Sequence, residues 1–182
     1  MRQLRRRRLL ATLSGGLQRT RVNNPVDPAR GSSVSLDVAH SSRLIGSSPF
    51  SQFTRFIGEG SIYRPVGGSV LALHARGGIV FAPRLVLNGG ASNFVPPEQR
   101  FYAGGPNDVR GFRRNELGPL VYVVNEADVT EGPGGVAEVQ EEDVRIAATG
   151  GNTLVVANAE FRVPSPVFSS QVRFAAFVDG GA

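Results

Sequence analysis

The segment 100–119, RFYAGGPNDVRGFRRNELGP, combines cationic side chains with residues that free the backbone. Arg110 lies near its centre, and Gly104, Gly105 and Gly111 flank it. A guanidinium is a planar fork of donors that matches a carboxylate with two parallel hydrogen bonds, and it stays charged at any physiological pH. Glycine adopts the left-handed conformations that a tightly folded loop needs. The chemistry that this spacing supports is therefore ionic anchoring of a loop.

Two carboxylates that could receive this arginine lie on the last two strand-like segments. In 153–163 the polar residues occupy even positions, Glu160 among them, and in 171–179 they occupy odd positions, Asp179 among them. Alternate side chains of a strand point to opposite faces of a sheet, so both acids are expected on the polar face. An arginine that a loop delivers to this face needs such partners, because a buried guanidinium without one costs several kcal/mol, and Arg110 is the candidate.

Other kinds of chemistry have less support. The AGGPNDVRG string looks like a phosphate cradle but lacks the GK[ST] ending of a nucleotide-binding P-loop. The acidic segment 126–143 lacks the ligand spacing of an EF-hand loop, and the chain has no cysteine. The two histidines, His40 and His74, lie on separate strand-like segments with no nearby nucleophile pattern. We predict no enzymatic activity, no cofactor and no metal.

The charge of the chain is unevenly distributed. The formal net charge is +5, but Arg2 and Arg5 to Arg8 are packed at the N-terminus, and no recognition helix or aromatic stacking motif accompanies them. We therefore predict no nucleic-acid partner. The apolar run 9–13 is shorter than the about 7 to 15 residues of a signal-peptide core, so Met1 is interpreted as an internal methionine or a fragment start.

Hydrophobic alternation with a period of two, together with 23 glycines and 12 prolines, predicts an all-β antiparallel fold. Roughly sixty residues separate the fourth strand from the fifth, which is too long for an ordinary connection. We interpret 84–148 as a long functional loop that contains 100–119 and a mobile, solvated acidic stretch at 126–143. The predicted strands are 9–18, 33–38, 53–64, 70–81, 153–163 and 171–179.

These strands have about the 9 to 11 residues, apolar on one side and polar on the other, that a transmembrane barrel strand needs. Val109, Arg110, Gly111 and Phe112 form a VRGF tetrad. This tetrad resembles the signature of the Omp85 superfamily of outer-membrane β-barrels, and RVNNPVDPARG, EGSIYRP, NAEFRVP and FVDGG look like the family's strand-and-turn segments. The resemblance extends over nearly the whole of 1–182.

The resemblance implies an antiparallel transmembrane β-barrel of which this chain supplies a part, about six strands of a sixteen-stranded barrel. The VRGF loop would fold inward into the lumen, with Phe101, Tyr102 and Phe112 packed against the wall, and 84–148 would begin and end at the extracellular rim. In the family, acidic residues on the two strands after the loop hold the arginine. The family pattern therefore implies the same pairing of Arg110 with Glu160 and Asp179.

The family also implies a function: assembly and insertion of proteins in the bacterial outer membrane. The partners would be the outer-membrane lipid bilayer, unfolded outer-membrane proteins, and a periplasmic POTRA region and accessory proteins of a longer parent. No POTRA region precedes the first strand and the chain stops after the sixth, so 1–182 is interpreted as a partial barrel domain. Two alternatives stay open: a two-partner-secretion transporter pore, and a soluble β-sandwich binding module in which Glu160 and Asp179 face solvent.

Overall fold

A computed structural model of the chain describes residues 9–87, 90–93, 95–124, 129–131, 137–138, 140, 144–167 and 172–182. Among these residues no helix is long and apolar enough to cross a bilayer. Twelve strands occur in them: β1 (Leu13–Val22), β2 (Gly31–Ser41), β3 (Phe53–Val66), β4 (Ser69–Phe81), β5 (Arg84–Leu87), β6 (Gly90–Asn93), β7 (Leu120–Val123), β8 (Thr130–Glu131), β9 (Ala137–Glu138), β10 (Arg145–Ala148), β11 (Thr153–Pro164) and β12 (Arg173–Gly181).

Six long strands form one antiparallel sheet in the order β1-β2-β3-β4-β11-β12. The all-β antiparallel prediction is confirmed, and β1 and β12 are the open edges of this sheet. Four of the six strands begin and end within two residues of the predicted bounds. β4 and β11 are directly paired in the sheet, although a long connection separates them in sequence.

The first two strands differ from the prediction. β1 begins at Leu13 and not at residue 9, and it continues to Val22 because its register with β2 extends to the turn. All but its last residue is exposed, since an edge strand has a neighbour on one side only. β2 is longer than predicted, from Gly31 to Ser41. The predicted start of the sixth strand at Gln171 and the arginines of residues 1–8 lie outside the described residues, as does most of 126–143.

The connection between β4 and β11 has structure of its own. It contains three two-stranded sheets, β5 with β6, β7 with β10, and β8 with β9. An isolated bridge between Ala103 and Leu117 closes the segment 100–119 on itself, and another joins Phe101 to Gly151, just before β11. We call 100–119 the motif loop. Short 3-10 turns, each of three residues, occur in the connections at Arg43–Ile45, Pro49–Ser51 and Pro97–Gln99.

The motif loop packs on one face of the sheet, which we call the loop face. The buried apolar core lies between them, and the sheet contributes Phe53, Val80, Leu154 and Val156. The partners from the connection are Val95, Phe101, Ala103 and Val109. The core residues of β11, Leu154 and Val156, are at even positions like Glu160 and therefore point to the same face. The loop face is thus apolar where the motif loop covers it and polar beyond.

The opposite face of the sheet is apolar and uncovered. Its members follow from the register, because directly paired residues of adjacent strands point to the same side. The row of Ile62, Leu73, Ala159 and Val178 illustrates it. Ile62, Leu73 and Val178 are all exposed, up to 76% for Val178. A sheet with one exposed apolar face is the pattern expected of a barrel wall that contacts lipid.

Candidate functional site

Arg110 lies in the motif loop, directly above the last two strands of the sheet. Its guanidinium donates to both oxygens of Asp179 on β12, from Nε to Oδ2 at 2.7 Å and from Nη2 to Oδ1 at 2.8 Å. Its backbone N–H donates to the same Oδ2 at 3.0 Å, and its Nη1 donates to Glu160 Oε2 on β11 at 2.7 Å. We call these three residues the arginine clamp. The structure thus brings together the arginine and both carboxylates named from the sequence.

The arginine clamp is largely removed from solvent. The side chain of Asp179 is 2% exposed, and those of Glu160 and Arg110 are 20% and 26% exposed. The guanidinium carbon lies 3.6 Å from the centre of the Phe177 ring, which is the register partner of Glu160. The hydrogen bonds that the guanidinium donates to Asp179, and to a smaller extent to Glu160, raise the pKa of Arg110 above its ordinary value. Arg110 is therefore permanently charged. Its position is fixed by the bidentate pair with Asp179, the contact with the Phe177 ring and the hydrogen bond to Glu160.

A second arginine orients Glu160 from the other side. Arg162 Nε donates to Glu160 Oε1 at 2.7 Å, so the carboxylate bridges two guanidinium groups. Arg162 also lies 3.8 Å from a carboxylate oxygen of Asp27 in the β1–β2 turn, and Arg173 on β12 pairs with the same carboxylate. The alternation of β11 already puts Arg162 on the face of Glu160. Nothing in the sequence shows that a turn from the far edge of the sheet reaches it.

The motif loop has an additional attachment to the sheet that the sequence analysis missed. Asp108 accepts a salt bridge from Arg76 Nη2 on β4 at 2.8 Å. The backbone carbonyl of Asp108 also accepts a hydrogen bond from the amide of Asn158 on β11. Because Asp108 is two residues before Arg110, these contacts hold the same turn of the loop from neighbouring strands. The NDVR spacing offered a signal, since the acid and the arginine lie two positions apart.

The glycines of the motif loop have the conformations that the sequence suggested. Gly104, Gly105 and Gly111 have φ values of 101°, 111° and 104°, in the left-handed region. A Cβ on Gly104 would lie 2.6 Å from the carbonyl oxygen of Arg113, whereas one on Gly111 would meet nothing within 4 Å. Gly104 is therefore required for both conformation and space, and Gly111 for conformation alone.

The apolar residues of the motif loop divide into buried and exposed members. Val109 and Phe101 are each 4% exposed, and Phe101 lies so close to β4 that a Cβ on Gly78 would be 2.5 Å from its ring. Tyr102 donates its hydroxyl to the carbonyl of Pro97 at 3.1 Å. Phe112 was expected to pack against the wall, and this is wrong for the described structure, where its side chain is 48% exposed. Val109 lies over β12 instead, where a Cβ on Gly181 would be 3.0 Å from its side chain.

The two histidines have neighbours that the sequence did not reveal. His74 Nδ1 lies 3.0 Å from the hydroxyl of Ser61, its register partner on β3, and Glu59 is 3.9 Å from the other ring nitrogen. His40 pairs with Thr54 in the same way at 2.9 Å. These pairings require the strand register, which is why the sequence left each histidine without a partner. The described residues contain no cluster of three or more acids and histidines placed to hold a metal.

A single antiparallel sheet, apolar and exposed on one side and ion-paired to a long loop on the other, defines a segment of an outer-membrane β-barrel. The family model described as the Omp85 superfamily domain matches residues 2–182, so this chain belongs to the Omp85 superfamily. That family comprises outer-membrane insertases and transporters, and it is not enzymatic. The predicted outer-membrane location is confirmed.

The chain is similar in fold to a solved structure, that of BamA from Haemophilus ducreyi lacking POTRA domains 1-3. The TM-score is 0.67 at 24% sequence identity, and the match covers 93% of this chain and 29% of that chain. This chain therefore spans less than a third of the length of the BamA structure. The partial antiparallel barrel fold predicted from the sequence is confirmed, and the alternative of a soluble β-sandwich is wrong.

Proposed function

We propose that this chain is part of an outer-membrane protein assembly and insertion factor, and that its arginine clamp anchors the motif loop inside the barrel lumen. The observation that carries the proposal is the fourfold donation of Arg110 to Asp179 and Glu160. The carboxylates come from adjacent strands, so the pairing ties the loop to the wall and ties β11 to β12 through the same side chain. Membership of the Omp85 superfamily supplies the class of activity.

The proposed role involves no chemical step. An anchored motif loop keeps a fixed polar surface on the inner side of the wall, while the apolar face contacts the lipid bilayer. Segment 84–148 then begins and ends at the extracellular rim, on the same side as the connection between β2 and β3. The substrates are unfolded outer-membrane proteins, which add strands to an open sheet edge by β-augmentation. The intact protein also has a periplasmic POTRA region and works with accessory proteins.

The test is depletion of the native protein in its host and replacement by Arg110→Ala in the intact form. We expect lower levels of folded outer-membrane proteins and faster tryptic cleavage of the motif loop, because Asp179 and Glu160 lose every guanidinium donor and only the backbone N–H of residue 110 still donates to Asp179. Arg43→Ala is the matched control, since Arg43 is exposed and lies outside the motif loop, so its loss leaves the cleavage sites of the loop in place. Normal outer-membrane protein levels in Arg110→Ala, with a cleavage rate equal to that of Arg43→Ala, would contradict the proposal.

The same experiment separates assembly from secretion. In an assembly factor, Arg110→Ala lowers many outer-membrane proteins together. In a two-partner-secretion pore, it lowers the export of one secreted protein and leaves the outer-membrane proteins at their normal level. The second outcome would overturn the assembly role while leaving the anchoring role of the arginine clamp intact.

A further inference from the structure

Three arginines lie on the face of the sheet opposite the motif loop. Arg19 and Arg21 on β1 and Arg64 on β3 are all exposed. Arg19 is paired with Val34 on β2, and the pairing continues across the sheet through Gly60 on β3 to Ala157 on β11. The neighbours of Ala157 in β11 point to the loop face, so Ala157 and Arg19 point to the opposite face. Two residues make one strand repeat, so Arg21 has the same orientation as Arg19.

The third arginine is on the same face by the same argument. Arg64 is paired with Leu71 on β4, and Leu71 with Phe161 on β11. Phe161 is 38% exposed and follows Glu160, which points to the loop face. The three arginines thus project from a mostly apolar surface, beside Val34, Ile62 and Leu71.

No acid neutralises these arginines on their own face. The acidic residues within the six long strands are Asp37, Glu59, Glu160 and Asp179, and the register puts all four on the loop face. Among the described residues, none of the three arginines forms a salt bridge. A cationic surface without internal counter-ions is suited to an anionic partner.

All three arginines are at one end of the sheet. Arg21 is one residue before the end of β1, Arg19 is three residues before it, and Arg64 is two residues before the end of β3. This end carries the shorter connections, after β1, after β3 and after β11, whereas the motif loop is attached to the other end. The opposite end of the same face carries Phe56 and Phe81, packed edge to face, and no arginine.

The membrane location assigns a partner to this arrangement. On a lipid-facing barrel wall, arginine is strongly unfavourable at the bilayer midplane and close to neutral at the interface. Arginine side chains within a few residues of a strand end extend toward the headgroups, while their aliphatic parts cover apolar surface. Phosphate is the headgroup component that a guanidinium binds best, with two parallel hydrogen bonds.

We propose that Arg19, Arg21 and Arg64 form a binding surface for the phosphate groups of anionic phospholipids in the leaflet at the short-turn end. Each arginine near an anionic membrane surface contributes about a fivefold preference. The surface fixes the depth of the sheet in the bilayer, because the three cations form a band at a constant distance from the strand ends. This role is independent of the arginine clamp, which lies on the other face.

The experiment is the association of spin-labelled phospholipids with the intact protein reconstituted in phosphatidylcholine vesicles. Spin-labelled phosphatidylglycerol and spin-labelled phosphatidylcholine are compared by the fraction of immobilised label in the electron spin resonance spectrum. We expect the native protein to prefer phosphatidylglycerol and this preference to fall at least fivefold in Arg19→Gln/Arg21→Gln/Arg64→Gln. Raising the salt concentration from 0.05 to roughly 0.5 M should weaken the preference of the native protein, because exposed charges are screened.

Two controls keep the proposal open to refutation. The triple lysine variant at the same positions keeps the three charges and should retain most of the preference. A matched triple variant at exposed arginines of the other end, Arg43→Gln/Arg84→Gln/Arg145→Gln, removes the same charge elsewhere. An unchanged phosphatidylglycerol preference in the glutamine variant of the short-turn end overturns the proposal and favours an acidic protein as the partner. Equal losses in both glutamine variants also overturn it, since the effect would then be one of net charge.

Discussion

Replacing Asp179 by asparagine is the most direct test of how much the arginine clamp stabilises the attachment of the motif loop. The substitution keeps the shape of the side chain and removes its charge. Asp179 accepts three hydrogen bonds from Arg110 and is 2% exposed. An amide presents one oxygen and one NH2 group, so at least one guanidinium N–H would face another donor. The substitution leaves Arg110 with a single carboxylate partner, Glu160.

The magnitude follows from the burial and the number of bonds. Breaking a buried ion pair by removing one partner costs about 3–5 kcal/mol. Arg110 is 26% exposed and keeps Glu160, so we expect the lower end of the range, ~3 kcal/mol for attachment of the motif loop. Glu160→Gln removes a carboxylate that shares one bond with Arg110 and is 20% exposed, and we expect ~1 kcal/mol.

The assay is tryptic cleavage after Arg113 or Arg114 in the intact protein held in membranes. If the protease acts on the transiently detached loop, the cleavage rate follows the population of that state. A loss of ~3 kcal/mol then corresponds to roughly a hundredfold faster cleavage for Asp179→Asn, against about fivefold for Glu160→Gln. Asp37→Asn, an exposed acid on the same face in β2, is the matched control. The reasoning fails if Asp179→Asn accelerates cleavage less than threefold, or less than Glu160→Gln does.

Other residues of the motif loop and its support give further expectations in the same cleavage assay. Gly104→Ala should accelerate cleavage more than Gly111→Ala, because both lose a left-handed glycine and only Gly104 would also clash with backbone. Phe101→Ala should cost about 3–5 kcal/mol as a buried aromatic, whereas Phe112→Ala should change the cleavage rate less than threefold. Arg76→Gln, which breaks the salt bridge to the loop, should cost about 1 kcal/mol, and no change would mean that this pair is dispensable.

Much of the fold was predictable because it depends on local alternation. Strands β4, β11 and β12 repeat with a period of two, so their bounds and faces follow from the sequence. β3 was predicted with a poorer pattern, because Gly58 and Gly60 interrupt it. β1 was misplaced because two glycines interrupt its pattern and an edge strand has little burial to mark its limits. The short strands inside 84–148 were not predicted, since two to four residues give no period to recognise.

The arginine clamp was predictable for a related reason. The parity of Glu160 and Asp179 puts both carboxylates on one face of adjacent strands, and among the four arginines of the motif loop the family's VRGF tetrad indicates Arg110 as the partner. Asp108 with Arg76, and Arg162 with Asp27, were not predicted as pairs. Each joins residues that are far apart in sequence and carries no motif, so their meeting depends on how the loop and the turn fold over the sheet.

The sequence by itself determined the family, the strand pattern and the identity of the residues in the arginine clamp, because these depend on a motif and on a period of two. Only the tertiary structure decided how the site is built. It shows Asp179 closed off from solvent, Glu160 bridging two arginines, Phe112 turned outward, and three arginines alone on the apolar face. The physical reason is that burial and ion pairing depend on strand register and on the position of a long loop. Neither can be predicted from the alternation of polar and apolar residues along one strand.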